Sequence, residues 1–543
     1  MSQTYPTSAG YSLFGSNGLH PDDVEQGSIG NCWFLAAASA VAEVAGRFES
    51  NWLTQDYNEA GIYAINMFQL GVPITVLVDD LVPHYGSTYN TVFAKVQKTG
   101  AKATWMVILE KAYAKLMGNY AQLIGGYTDR GVNALTGFPS YTIMIESETD
   151  ISLWDKLTGH DSESDIMTAS SNYNAAGHSS SDDNGIAYSH AYTLLGAYEI
   201  DLKTPVVDAA GVSHSTQKLI KMRNPWSSEG YKSSWSDDDT AWDNVEAAEQ
   251  TRIGKSSSKY DGVFFMDITS FKQSFKYTSI NYDLADYHRE HFMVLGDTTT
   301  AAQSPGTGYY CGSSCVAHTF KITSAVTQEV HISSHLHDDR SYPLDCRPDK
   351  FWSGIKYNFG SSYDYQTGWF EGPYNFAPQT MSAGDEWTVT LEFNWSNDEI
   401  TKDFSLVVLG QQENVTIEHT GGLTSQDWPT QGADSDYVPV DPLAVEDNLR
   451  SQLDAWVSSL SYTATSGCGS QFFESTIANR PALALVTDCA DDMEVTLNIN
   501  AETFGARHES VVVTTGHDEA SCVAGVCTFS LSATSSTVGL LFN

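Results

Sequence analysis

The stretch Gln26-Gly27-Ser28-Ile29-Gly30-Asn31-Cys32-Trp33-Phe34-Leu35-Ala36-Ala37 decides how this chain is read. It sets a cysteine at a turn-to-helix junction, six residues after a glutamine. Gly27 and Gly30 suit a tight turn, where positive φ favours glycine. The alanine-rich run from Trp33 to Val44 predicts a buried helix. Cys32 then sits near a helix N-terminus, whose partial positive charge favours the thiolate. Gln26 can aim an amide N–H at a developing oxyanion. The window supports two readings. Cys32 is a nucleophile, or it is a buried structural cysteine, since free cysteine packs as a small hydrophobe.

The 543 residues leave room for about three or four domains. The net charge of −39 argues against nucleic acid as a partner, because phosphate binding needs clustered Lys and Arg. From Asp403 onward there are nineteen acidic residues and three basic ones, Arg450, Arg480 and Arg507. Such a surface keeps a chain soluble through self-repulsion. It also gathers cations such as Ca²⁺ or a basic partner. No apolar run reaches about 18 residues, so no transmembrane segment is expected. The start, Met1 to Pro6, lacks the basic and apolar regions of a signal peptide. Seven of the eight cysteines lie beyond residue 300, and their spacing decides neither zinc binding nor disulfides.

After a tail of residues 1–15, residues 16–285 read as one α+β unit in two halves, 16–139 and 140–285. The first half holds the Cys32 helix, strands at 62–68 and 74–78, and a helix over 104–117. The second is strand-rich, at 191–195, 218–222 and 262–266. Ser162 to Gly185, rich in Ser, Asn, Asp and Gly, reads as a loop over the cleft or a solvated insertion. Alternating runs predict an antiparallel β-sandwich over 286–420. A linker follows over 421–443, then a short helix at about 443–459 within a β-rich domain of residues 444–543.

A cysteine nucleophile needs a base and a group that orients it. His190 opens the apolar strand His190-Ala191-Tyr192-Thr193-Leu194-Leu195. A strand-end ring is held rigidly yet can face a cleft. Asn224, in Arg223-Asn224-Pro225-Trp226, can accept an imidazole N–H and fix its tautomer.

These residues carry a resemblance to the calpain family of cysteine proteases. The Gln26–Ala37 block is followed, in the family's order, by Val78-Asp79-Asp80-Leu81-Val82-Pro83, the run from Leu109 to Gly118, Gly125-Gly126 and Leu135-Thr136-Gly137. Next come His190-Ala191-Tyr192, Arg223-Asn224-Pro225-Trp226, Trp235-Ser236-Asp237 and the run from Asp261 to Met266. The resemblance implies a papain-like two-subdomain protease core with the sandwich of 286–420 as its usual neighbour, and limited proteolysis of protein substrates in the cytoplasm; the second all-β domain, residues 444–543, follows from residue pattern alone. It implies Cys32 as nucleophile, His190 as base, Asn224 as orienting group, Gln26 at the oxyanion and Trp226 as a gating wedge.

The resemblance also implies one Ca²⁺ in each half. Ser16, Gly18 and Asp23 match the first set, and Asp237 and Asp261 the second. Ala103, Gly230 and Val263 stand where further carboxylates are expected, although Glu229 is adjacent. Weak calcium binding, or closure without calcium, is expected. Asn31 replaces an aspartate, a change expected to be minor. The alternative is a catalytically silent scaffold whose acidic β domains contact proteins or a membrane surface, and an oxidising compartment is the alternative location.

Overall fold

A computed structural model describes residues 10–56, 61–85, 91–96, 102–208, 210–256, 258, 261–297, 316–337, 339–341, 352–359, 364–369, 373–394 and 402–421. Beyond these it describes the strands within 469–477, 480–488, 493–498, 511–513, 521–523, 526–531 and 537–542. The linker, the helix expected near 443–459, most of the N-terminal tail and Cys311, Cys315, Cys346, Cys468 and Cys489 lie outside the described residues.

Two compact units span Met1–Ala433 and Asp434–Asn543. In the first unit, α1 (Cys32–Val41) has every residue buried. A helix apolar on all sides must be enclosed, and this one is packed from several directions. Trp33 donates its indole N–H to Leu123 O at 2.8 Å. Phe34 stacks on Tyr113 at 4.2 Å. The hairpin of β1 (Ile62–Gln69) and β2 (Val72–Asp79), with α2 (Trp105–Leu116) and α3 (Thr128–Thr136), completes this core.

A second core lies on a six-stranded antiparallel sheet. Its strands are β3 (Ser140–Met144), β4 (Ile166–Ser171), β5 (Ala191–Val207), β6 (Ser213–Arg223), β7 (Val263–Asp267) and β8 (Phe275–Asn281). Their order is β3-β8-β4-β5-β6-β7. The loop expected over Ser162–Gly185 is corrected for its first part, because β4 takes up Ile166–Ser171 within the sheet, while the rest is a loop. In β4, Thr168 and Ala169 are fully buried, so small polar and apolar residues fit between neighbouring strands rather than facing solvent. Strands from 288 to 421 form two further antiparallel sheets around a third core. In the second unit, a four-stranded and a three-stranded sheet are built from residues 469–542, and Cys522 stands opposite Cys527 in strand register.

Arg223 is a buried cation that joins the first two cores, as Arg47 does elsewhere through Ala40 O and Asp283. Arg223, at the end of β6, has no exposed surface. Its Nη2 donates to Val24 O at 2.6 Å and to Ser227 Oγ at 3.1 Å, and its Nη1 reaches Ser39 Oγ in α1 at 3.5 Å. Asp22 lies 3.7 Å from its Nε. Nearby, the Gln26 N–H donates to Pro225 O at 2.8 Å, and Thr193 Oγ1 donates to Ala36 O at 2.8 Å.

Removing a buried charge leaves its acceptors unpaired. Arg223→Met is therefore expected to lower unfolding stability by about 3–5 kcal/mol, read by urea denaturation. A loss under about 1 kcal/mol would show that the guanidinium is dispensable.

Candidate active site

The segment before α1 is shaped by a close backbone approach. Neither Gly27 nor Gly30 has positive φ, which corrects the expected turn. Gly27 is required for another reason. A Cβ there would lie 1.7 Å from Phe93 O, where the chain runs alongside residues 92–93. The approach delivers Cys32 to the first turn of α1, its side chain buried. Asn31 is fully buried just before it and donates to Glu110 Oε1 at 2.6 Å.

His190 enters from the other core. Ser189 precedes it at φ 53°, a strained value for a residue with a side chain. Hydrogen bonds hold that strain. Ser171 Oγ accepts the His190 N–H at 2.9 Å, and Asn172 O accepts the Ser189 N–H at 2.8 Å. His190 Nε2 lies 2.9 Å from Asn224 Oδ1. An amide oxygen only accepts, so Nε2 carries the proton and Nδ1 keeps a free lone pair. That Nδ1 is buried without a hydrogen-bond partner.

Asn224 Oδ1 also accepts the Trp226 N–H at 3.0 Å, and the Trp226 ring covers His190 at 4.2 Å. Gly262 lets the chain pass behind Asn224, where a Cβ would meet Asn224 O at 2.5 Å. Gln26 is buried and uses Nε2 to donate to Ile29 O at 2.7 Å. An amide nitrogen has a second hydrogen to give.

One ring at the site was not singled out from sequence. His178, exposed on the segment between β4 and β5, brings Nε2 to 3.9 Å from Cys32 Sγ. The same nitrogen donates to Ser189 O at 2.7 Å. The His178 ring lies 4.9 Å from His190 and 5.8 Å from Trp226. Ligand atoms of Cys32, His178 and His190 all fall within 4.8 Å of one another. A serine-rich stretch with one histidine carried no sequence signal of this.

Burial dominates the protonation states. It pushes the Cys32 thiol up to about 11, against backbone N–H groups of Ala191, Trp33 and Cys32 that act the other way. It pulls His190 down to about 3, although Asn224 favours the protonated ring. The thiolate expected from the helix N-terminus is therefore corrected. In this closed site both partners are neutral.

The residues matched to calcium fit that ion poorly. Ca²⁺ takes about six to eight oxygen ligands. In the first set, Asp23 Oδ2 is already engaged by Trp105 Nε1 at 2.9 Å and the His20 N–H at 3.1 Å. Burial pushes Asp23 up to about 6, and Ala103 forms a backbone bridge with Ser12. Ser16, matched through its backbone, is exposed. In the second set, Lys255 Nζ lies 3.6 Å from Asp237 Oδ1, with both side chains buried. Burial and the neighbouring Asp237 push Glu229 up to about 8, and Glu229 Oε1 and Asp237 Oδ2 are buried without a hydrogen-bond partner.

A family model described as "Calpain family cysteine protease" matches residues 7–282, just over half of the chain. Calpain-5 of Caenorhabditis elegans is 28% identical over 335 residues, which cover 56% of this chain and 51% of that protein. The calpain-type cysteine protease ADL1 of Oryza sativa subsp. japonica is 32% identical over 268 residues, 48% of this chain and 11% of the relative. Calpain-14 of Homo sapiens is 32% identical over 263 residues, 47% of this chain and 34% of the relative. The chain thus spans about half the length of the nematode protein and less of the other two.

Only thiolate alkylates, and its fraction rises tenfold per pH unit below the thiol's own value. Alkylation of Cys32 by iodoacetamide is expected to climb with a slope near one across pH 6–9. A plateau beginning below pH 7 would reveal a thiolate–imidazolium pair in the resting protein instead.

Proposed function

We propose that this chain, which belongs to the calpain family of cysteine proteases, cuts proteins as an endopeptidase through Cys32, His190 and Asn224. The observation that carries the reading is the fixed tautomer of His190. Its Nε2–H is held by Asn224, its free Nδ1 is buried, and a nitrogen of the ring lies within 4.8 Å of the thiol sulfur. A base needs that lone pair, and a hydrogen bond from the other nitrogen keeps it in place.

In this reading the Cys32 proton passes to His190 Nδ1 as sulfur attacks the scissile carbonyl carbon. The transfer accompanies the attack, so the neutral resting pair is a competent starting state. The oxyanion meets the Cys32 N–H at the α1 N-terminus and the second hydrogen of Gln26 Nε2. The C–N bond breaks as His190 returns the proton to the departing amine, leaving a thioester on Cys32. Water then attacks the thioester, giving its proton to Nδ1, and the acid is released as the C–S bond breaks and His190 returns that proton to sulfur. Trp226 keeps water off the His190–Asn224 bond. Substrate must displace His178 and open the buried cleft between the two cores, which act as papain-like subdomains. The strands of 286–420 serve as a calpain-type β-sandwich beside them. Lys255, rather than calcium, neutralises the acidic group of the second half.

A second reading, a silent scaffold acting through acidic β domains, draws on the closed and uncharged site. Labelling by an electrophilic cysteine-protease probe and cleavage of an unfolded protein separate the two. Cys32→Ala is expected to lose both signals. Asn224→Ala is expected to lose roughly a hundredfold in kcat/KM through a misplaced ring. Wild-type rates equal to those of Cys32→Ala would sink the enzyme reading.

Chelator is expected to leave the wild-type rate unchanged. Abolition of cleavage by chelator, with recovery on adding Ca²⁺, would overturn the role given to Lys255.

A further inference from the structure

We infer that Cys32, His178 and His190 form a binding site for a zinc-type transition-metal ion that holds the thiol inactive when filled. The three side chains come from α1, from the segment between β4 and β5, and from the residue before β5. Their ligand atoms lie within 4.8 Å of one another, and Cys32 Sγ is 3.9 Å from His178 Nε2. Around a tetrahedral zinc ion such atoms sit roughly 3.3–3.7 Å apart. Closing by about an ångström completes the set.

His190 is already arranged as a ligand. Its Nε2–H is held by Asn224 Oδ1 at 2.9 Å, the kind of outer contact that orients a metal-binding imidazole. Its Nδ1 is an unpartnered polar atom in a residue 2% exposed. His178 is the exposed member, so an ion arrives from its side. Binding on His178 Nε2 gives up the hydrogen bond to Ser189 O, a carbonyl that water can satisfy. One thiolate and two imidazoles select zinc or copper over Ca²⁺ and Mg²⁺, which prefer oxygen.

The bookkeeping of binding is simple. A metal–sulfur bond and two metal–nitrogen bonds form, the ion sheds water, the thiol proton leaves to solvent, and the His178 proton moves by way of water from Nε2 to Nδ1 so that Nε2 has a lone pair to give. A fourth position stays open to water. No electron changes hands. With its sulfur lone pair on the metal and Nδ1 occupied, the site can neither attack nor accept a proton. The inference rests on the three side chains and not on peptide turnover.

The test reads binding, so it stands apart from the test of proteolysis. The full chain is equilibrated with buffered Zn²⁺, and iodoacetamide labelling of the Cys32 peptide is followed by mass spectrometry. Micromolar Zn²⁺ is expected to slow labelling about tenfold or more, while Ca²⁺ and Mg²⁺ do not. His178→Ala, compared with its own metal-free rate, is expected to lose most of the protection. Equal protection in His178→Ala, or none in the wild type, overturns the site. X-ray absorption of zinc-loaded wild type minus Cys32→Ala keeps the idea refutable should His178→Ala fail to fold. One sulfur and two imidazole nitrogens are expected in that difference, and a difference without sulfur overturns the site.

Discussion

A guanidinium without exposed surface sets the geometry of this protein. Arg223 ends a central strand of the second core and donates into the segment that leads to α1 of the first. Taking such a charge out of water costs several kcal/mol unless its donors are met. Val24 O and Ser227 Oγ meet two of them, with Ser39 Oγ at longer range and Asp22 supplying opposite charge. Asn224 is the next residue along the chain. This contact between the cores therefore also fixes where the His190–Asn224 pair stands relative to Cys32. Gln26 is tied to the same place through its backbone bond to Pro225. Fold and site share one anchor.

The state of the site follows from a contest between two terms. A helix N-terminus favours an anion by about 0.3–1 kcal/mol, and up to about 2 in partly buried settings. Burial moves the Cys32 thiol from 9.0 to about 11, a penalty of about 3 kcal/mol. Desolvation wins, and the same burial holds His190 neutral. The closed cleft is thus a resting arrangement with a proton on sulfur and an idle lone pair on Nδ1. Anything that brought water to the sulfur would change the term that now dominates.

Much of the first two cores was legible from residue pattern. The helix expected over Trp33–Val44 is Cys32–Val41, and that over 104–117 is Trp105–Leu116. The strands at 62–68 and 74–78 are Ile62–Gln69 and Val72–Asp79. Here apolar spacing and burial agree. The pattern failed where they part. β4 has only Ile166 and Met167 as large apolar residues before Thr168-Ala169-Ser170-Ser171, too short a signal to mark a strand, yet it lies inside the sheet. The hairpin of β5 and β6 extends well beyond its buried apolar runs, and its far end is exposed and mixes polar residues with Val206 and Val207. Gly27 was expected for its φ and is needed for the nearness of Phe93 O.

By itself, the sequence determined the helix that carries Cys32, the strand that His190 immediately precedes and the presence of an asparagine able to orient it. These depend on local spacing and side-chain chemistry, which are written along the chain. Only the tertiary structure decided that the thiol and imidazole are neutral, that His178 lies against the sulfur, and that Lys255 sits among the acids of the second half. Each of those is a through-space sum of burial, charge and distance over residues remote in sequence. His178 and Cys32 are 146 positions apart, and no pattern along the chain encodes the 3.9 Å between their atoms.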